Sequence, residues 1–168
     1  MKIVPISALS DNYIWLVHDE ESAVCVDPGD AAPVLALLQQ KQLDLDAIIL
    51  THHHNDHIGG VADLQAAYPD VAVYGPEDIA CVNQALKEGQ ELNLLGQVWR
   101  VWFVPGHTHN HLAYILRIEG KNRLHVFCGD TLFSAGCGRL FEGSPAQMLE
   151  TLAAINRLPS QTQICCAH

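Results

Sequence analysis

At residues 51–57 the chain reads THHHNDH, directly behind the apolar run Ala47–Leu50. Four imidazoles and a carboxylate within positions 52–57 constrain the fold more than any other stretch. A short, wholly apolar run is the mark of a strand buried on both faces. Polar side chains crowded just past its end belong in a loop at the carboxyl edge of a sheet, where α/β proteins build their sites. If the extended conformation persists past Leu50, His52 and His54 project to one side and His53 to the other. Asp56 and His57 then lie in the turn into a helix, which Gly59-Gly60 opens and which runs through Tyr68.

The arrangement recurs along the chain. Strands are expected at Lys2–Ile6, Tyr13–Val17, Ala23–Val26, Val71–Tyr74, Val98–Val104, Leu112–Ile118, Leu124–Cys128 and Gln163–Cys166. Helices are expected at Ala31–Gln40, after the DPGD turn (Asp27–Asp30), and at Pro145–Leu158, with Pro145 suited to a first turn. Strands interleaved with helices mean a layered α/β domain. Three more strands end in ligand-type residues beside Gly, Pro or Ala. VPGHTHNH offers His107, His109 and His111, FCGDTLF offers Asp130, and CCAH offers His168. Small residues let the backbone turn sharply beside a bound ion. Together these are too many donors for one tetrahedral zinc and about right for two metals.

Composition removes competing classes. At 168 residues the chain is long enough to bury one core without staples. A formal charge of −10 is wrong for a nucleic-acid binder and for docking on anionic lipid. The N-terminus, MKIVPISALSDNY, is too short and interrupted for a secretory signal, and no apolar run reaches the length of a membrane span. The six cysteines show no C-x-x-C pair. A cytoplasmic protein with reduced thiols, most of them small core residues, is the expectation.

The simpler explanations carry most of the weight for His18, His109 and His125, as surface or satisfied core groups. His53 is expected to face outward or to support the site, and His111 to orient it or merely pack. Asp27 is either a carboxylate that orients a ligand histidine or a turn cap. For His52, His54, Asp56 and His57 together, packing alone gains little unless a cation holds them. A structural zinc would favour cysteine thiolates, whereas histidine and carboxylate point to a catalytic site with open positions.

With these residues in view, T-H-x-H-x-D-H followed by G-H-T, G-D and a last-strand histidine resembles the metallo-β-lactamase superfamily. Within it, DNYIWLV (11–17), VDPGD (26–30), THHHNDHIGG (51–60), VYGPE (73–77), PGHT (105–108), FCGDTLFSAGCGRLFEG (127–143) and CCAH (165–168) resemble the hydroxyacylglutathione hydrolase, or glyoxalase II, family. Asn110 stands where that family usually has glycine. The resemblance implies an αββα four-layer sandwich with the site at one edge of the paired sheets. It implies that His52, His54 and His107 hold one metal, that Asp56, His57 and His168 hold a second, and that Asp130 bridges them. Arg139 matches the basic residue that contacts the glutathione portion of the substrate. The family continues past His168 with an acid, a tyrosine and a helical domain that supplies much of the glutathione pocket. The chain is therefore expected to be the catalytic domain alone, residues 1–168, acting as a monomer.

The implied reaction is hydrolysis of a glutathione thioester, such as S-lactoylglutathione, to glutathione and a 2-hydroxy acid by a metal-bound hydroxide. Asp56 is placed to orient the attacking oxygen. Two divalent ions are implied, zinc foremost, although histidine and carboxylate also suit iron and manganese. The leaving thiolate has a pKa of roughly 8–9, so no dedicated general acid is required. Other readings stay open: a lactonase or β-lactamase of the same superfamily, an iron-dependent persulfide dioxygenase with a similar GCGR stretch, or an inactive metal-binding core.

Overall fold

A computed structural model describes residues 1–121 and 123–168. Two sheets carry it. The first is built from β1 (Lys2–Ala8), β2 (Asn12–His18), β3 (Ser22–Val26), β4 (Asp44–Ile49), β5 (Ala72–Gly75) and β6 (Gln84–Ala85), hydrogen-bonded in that order. Its first three strands pair antiparallel and β3 to β6 pair parallel. The second holds β7 (Glu91–Leu94), β8 (Gln97–Phe103), β9 (Leu112–Arg117), β10 (Leu124–Gly129) and β13 (Gln163–Cys166), in the order β13-β10-β9-β8-β7. A small hairpin, β11 (Leu132–Phe133) with β12 (Gly136–Cys137), follows β10.

Helices α1 (Ala31–Lys41), α2 (Asn55–Ile58) and α3 (Val61–Ala67) make the parallel crossovers of the first sheet, and α4 (Pro145–Asn156) precedes β13. Capping sets two of their starts. Asp30 accepts the Ala32 N–H at α1. At α4, Ser144 and Gln147 form a reciprocal capping box with Pro145 in the first turn.

Strand periodicity sorts side chains into layers. Leu16, Ile48, Val34, Leu38 and Leu64 fill the core between the first sheet and helices α1 and α3. Val17, Val26, Ile49, Trp99, Tyr114 and Phe127 fill the space between the sheets. Val104, Ala113, Val126 and Cys128 cover the outer face of the second sheet, where Thr151 of α4 donates to the Pro105 carbonyl. Helix, sheet, sheet and helix thus stack as an αββα sandwich. Ala47, Ile48, Ile49 and Leu50 are all fully buried, as expected of a strand with core on both faces. Each such side chain contributes about 1.5–3 kcal/mol by leaving water.

One expectation needs adjustment. Gly59-Gly60 opens α3 as expected, with Gly60 at its N-cap and Tyr68 at its C-cap, but Asp56 and His57 lie in a short helix of their own, α2, which the pair separates from α3. The cause is close approach: these glycines and Gly29 let the DPGD turn lie against the backbone of the histidine segment. A Cβ on Gly29 would overlap the Asp56 carbonyl. Gly29→Ala is expected to lower unfolding stability by about 1–3 kcal/mol and to displace Asp56. Calorimetry of the variant checks this, and an unchanged Tm would refute the close-packing argument.

Candidate metal centre

The strand ends deliver the site. Beyond β4 the chain stays extended through His54, whose φ and ψ are −67° and 145°, before α2 begins. His52 and His54 therefore converge, with ring centroids 4.6 Å apart. His53 points away and pairs with Glu142 at 3.2 Å. The loop after β8 brings His107, so that His54 Nδ1 lies 3.0 Å from both His52 Nε2 and His107 Nε2. The end of β10 brings Asp130 and the end of β13 brings His168.

Two groups of possible donors result: His52, His54, His107 and Asp130, and Asp56, His57, Asp130 and His168. Within each group one ligand atom per residue lies within 4.8 Å of all the others. Asp130 belongs to both. Its Oδ1 is 3.1 Å from His57 Nε2 and 3.4 Å from His168 Nε2, while its Oδ2 is 3.4 Å from His107 Nε2. All seven metal candidates named from the sequence are thus gathered at one place. Arg139 lies at the rim with an exposed side chain.

Hydrogen bonds aim these side chains. Asp27, with a left-handed φ of 51°, accepts from Thr51 N at 2.7 Å, from Thr51 Oγ1 at 2.7 Å and from His57 Nδ1 at 3.0 Å. It orients His57, one of the possible donors, while the helix cap falls to Asp30. His107 Nδ1 donates to the Arg139 carbonyl at 2.7 Å, leaving Nε2 for the site. His111 is fully buried and supports rather than joins the donors. Its Nδ1 donates to Leu112 O at 3.0 Å, and its Nε2 accepts the Asp130 N–H at 3.3 Å. His18 and His125 are buried and His109 is exposed; none of the three belongs to the donor groups.

The electrostatics suit cations. Burial, with the neighbouring His57 charge, drives the His52 pKa well below the usual imidazole value. Burial also lowers His54 and His107 and takes His111 to about 3. Neutral imidazoles with lone pairs facing one another repel unless something positive lies between them. His57 goes the other way. Burial pulls its pKa down, but the Asp27 charge and contacts with Asp130 and Asp56 overcome it and hold it well above the usual value. A cation bound beside these carboxylates would take the place of the His57 proton and release it. Burial pushes the Asp130 carboxyl up, yet His57 outweighs it and the net shift is downward. Asp56 is lowered by His57, against burial, with help from Asn12. His57 Nε2 and Asp130 Oδ1 are buried without an aligned hydrogen-bond partner, which is a cost unless an ion meets them. Histidine and carboxylate donors of this kind fit a pair of divalent cations.

Sequence reasoning assigned no role to three features. Gly138 lies so close under Asp130 that a Cβ would overlap its carbonyl. The exposed Phe141 ring stands 5.2 Å from His54 and 5.3 Å from His107. Asn12, 6 % exposed, donates to Asp56 Oδ2 at 3.0 Å. All come from segments quoted for the resemblance, but nothing local in a glycine, a phenylalanine or a strand-end asparagine marks a site.

Comparison with known proteins meets this geometry. Hydroxyacylglutathione hydrolase of Vibrio campbellii is 51% identical over 171 aligned positions, which cover 100% of this chain and 66% of that protein. The chain thus spans about two thirds of the length of the curated relatives it matches. The crystal structure of the B3 metallo-beta-lactamase BLEG-1 is 25% identical, with a TM-score of 0.89 over 99% of this chain and 91% of that one. That of ETHE1 from Myxococcus xanthus is 29% identical, with a TM-score of 0.84 over 100% of this chain and 76% of that one. The family model for the metallo-beta-lactamase superfamily matches residues 9–168. That span takes in all seven clustered donors and every strand of the two sheets but β1, and the chain belongs to the metallo-beta-lactamase superfamily.

Proposed function

We propose that this chain hydrolyses glutathione thioesters such as S-lactoylglutathione, releasing glutathione and a 2-hydroxy acid, with two divalent cations, zinc foremost. The observation that carries the proposal is the pair of four-donor groups sharing Asp130. The choice of substrate rests on the likeness to hydroxyacylglutathione hydrolases and on Arg139 at the rim. His52, His54 and His107 would hold one ion, Asp56, His57 and His168 the other, with Asp130 between them. When bound, the ions supply an acidified water for attack at neutral pH and positive charge for the developing oxyanion.

The chain's own residues do the rest. Asp56, held ionised, accepts a hydrogen bond from the attacking water and points it at the carbonyl carbon. Arg139 binds a carboxylate of the glutathione portion away from the reacting atoms. Phe141 beside His54 and His107, and Phe133 with its ring 5.2 Å from that of His168, wall the site with apolar surface and limit stray water. The thiolate leaves without a proton donor because its pKa is roughly 8–9. A cytoplasmic location accords with six unpaired cysteines and with the lack, among the described residues, of any helix long and apolar enough to cross a membrane.

The test is turnover by zinc-loaded protein on S-lactoylglutathione and on a β-lactam, the substrate class named for the BLEG-1 neighbour. Thioester turnover should dominate and should vanish on chelation. Arg139→Ala should raise KM about tenfold, the scale of one charge-assisted hydrogen bond. It should leave kcat nearly unchanged, because the contact is remote from the reacting centre. Faster β-lactam than thioester turnover would assign the other hydrolase activity.

A further inference from the structure

The turn between β1 and β2 meets the centre at one point. Asn12 opens β2, pairs with Ala8 across the hairpin, and turns its carboxamide inward. Its Nδ2 lies 3.0 Å from Asp56 Oδ2 and 3.3 Å from His168 Nε2. One of its two hydrogens goes to Asp56 Oδ2, and the other meets the His168 Nε2 lone pair only until a cation takes that lone pair, so the contact sets the ring in place before metal binds. These partners come from opposite sheets: Asp56 follows β4 of the first, and His168 follows β13 of the second. The neighbouring backbone docks the same strand end. Tyr13 N donates to Ala167 O at 2.7 Å, and Trp15 Nε1 donates to Cys166 O at 2.9 Å. On the far side of the ring, Asp11 Oδ1 is 3.5 Å from His168 Nδ1. Asp11 is 74% exposed there, so this contact adds little in water.

We infer that Asn12 is a positioning residue that sets the Asp56 carboxylate and the His168 imidazole against each other and so fixes the affinity of the second donor group for its cation. The inference rests on the metal-binding reading above. None of the donors in the His52, His54, His107 and Asp130 group contacts Asn12 among the hydrogen bonds of the described residues. Its removal should therefore act on one group and spare the other. Asn12 also differs from Asp27 and His111 in kind. Asp27 holds one donor ring together with the Thr51 N–H and hydroxyl, and His111 holds the Asp130 N–H, whereas Asn12 touches two donor side chains from opposite sheets.

Stepwise titration of zinc into the metal-free full chain, followed by calorimetry, reads this directly. The parent should take up two ions. Asn12→Ala should keep the first affinity within about threefold and weaken the second by about tenfold to a hundredfold, the effect expected when a partner of a ligand is lost. Asn12→Ser, which stays polar but cannot span both partners, should behave alike and serves if the alanine variant fails to fold. Two ions bound by both variants with parental affinities would overturn the role of Asn12. So would an equal weakening of both ions with a matching drop in Tm, which would mark a merely structural residue. A parent that binds no zinc would instead overturn the proposed function.

Discussion

Asp130→Ala protein should bind neither cation tightly and should lose thioester hydrolysis by on the order of 10³-fold or more. Asp130 is the only residue common to both donor groups, with one oxygen turned to each side. Deleting it removes a donor from both groups at once, whereas His54→Ala strips only the first. The fold should survive. The Asp130 backbone N–H is held by His111, which is anchored in turn to the Leu112 carbonyl, and neither bond uses the carboxylate. Metal content after dialysis, with far-UV circular dichroism as the control for folding, checks both halves of the expectation. Two ions per chain and turnover within tenfold of the parent would show that Asp130 is not the bridge.

Asp27→Asn should weaken the cation at the Asp56, His57, Asp130 and His168 group about 10–100-fold without touching a donor atom. The carboxylate takes three hydrogen bonds with two oxygens. An amide has one oxygen, so Thr51 and His57 cannot both stay satisfied, and a further cost of about 1–3 kcal/mol in stability follows. Asparagine tolerates the left-handed backbone at this position, which isolates the electrostatic loss. The metal-free protein offers a second check. His57 has a raised pKa when folded, so its contribution to stability is complete below the ordinary imidazole range. That contribution is lost as pH rises through the raised value. Losing the Asp27 charge should flatten this dependence and move the His57 titration seen by NMR to lower pH. An unchanged titration would assign the raised pKa to Asp56 and Asp130 alone.

The parts of the molecule legible in its sequence share one physical cause. Apolar runs such as Ala47–Leu50 report a strand because burial on two faces leaves no room for polar residues. The donors after them stand out because a sheet ends where its hydrogen bonding ends. The elements that were not read have no such signature. β6 is two exposed residues, Gln84 and Ala85, held by pairing with β5. β7 alternates polar and apolar residues over only four positions at a sheet edge. Asn12 looks ordinary along the chain and gains its role from a partner 44 residues away, and only the Asp130 N–H, 19 residues on, decides between the two roles open to His111. The helix α2 was hidden likewise, because its four residues are too few for a periodic pattern.

The split origin of the donors has a consequence for mechanical integrity. His52, His54, Asp56 and His57 hang from the first sheet, and His107, Asp130 and His168 from the second. At this rim the Leu112 N–H meets the Thr51 carbonyl at 2.9 Å, and the Tyr114 hydroxyl reaches the Leu50 carbonyl. An ion held here would act as a rivet through both halves, much as a disulfide staples two segments, but one that can be withdrawn by a chelator. At a free ion concentration 100 times its dissociation constant, such a rivet adds about 2.7 kcal/mol to the folded state. The rim of the sandwich would then be firmest in metal-replete conditions and loosest under metal starvation, so the availability of the ion would govern the lifetime of the protein as well as its turnover.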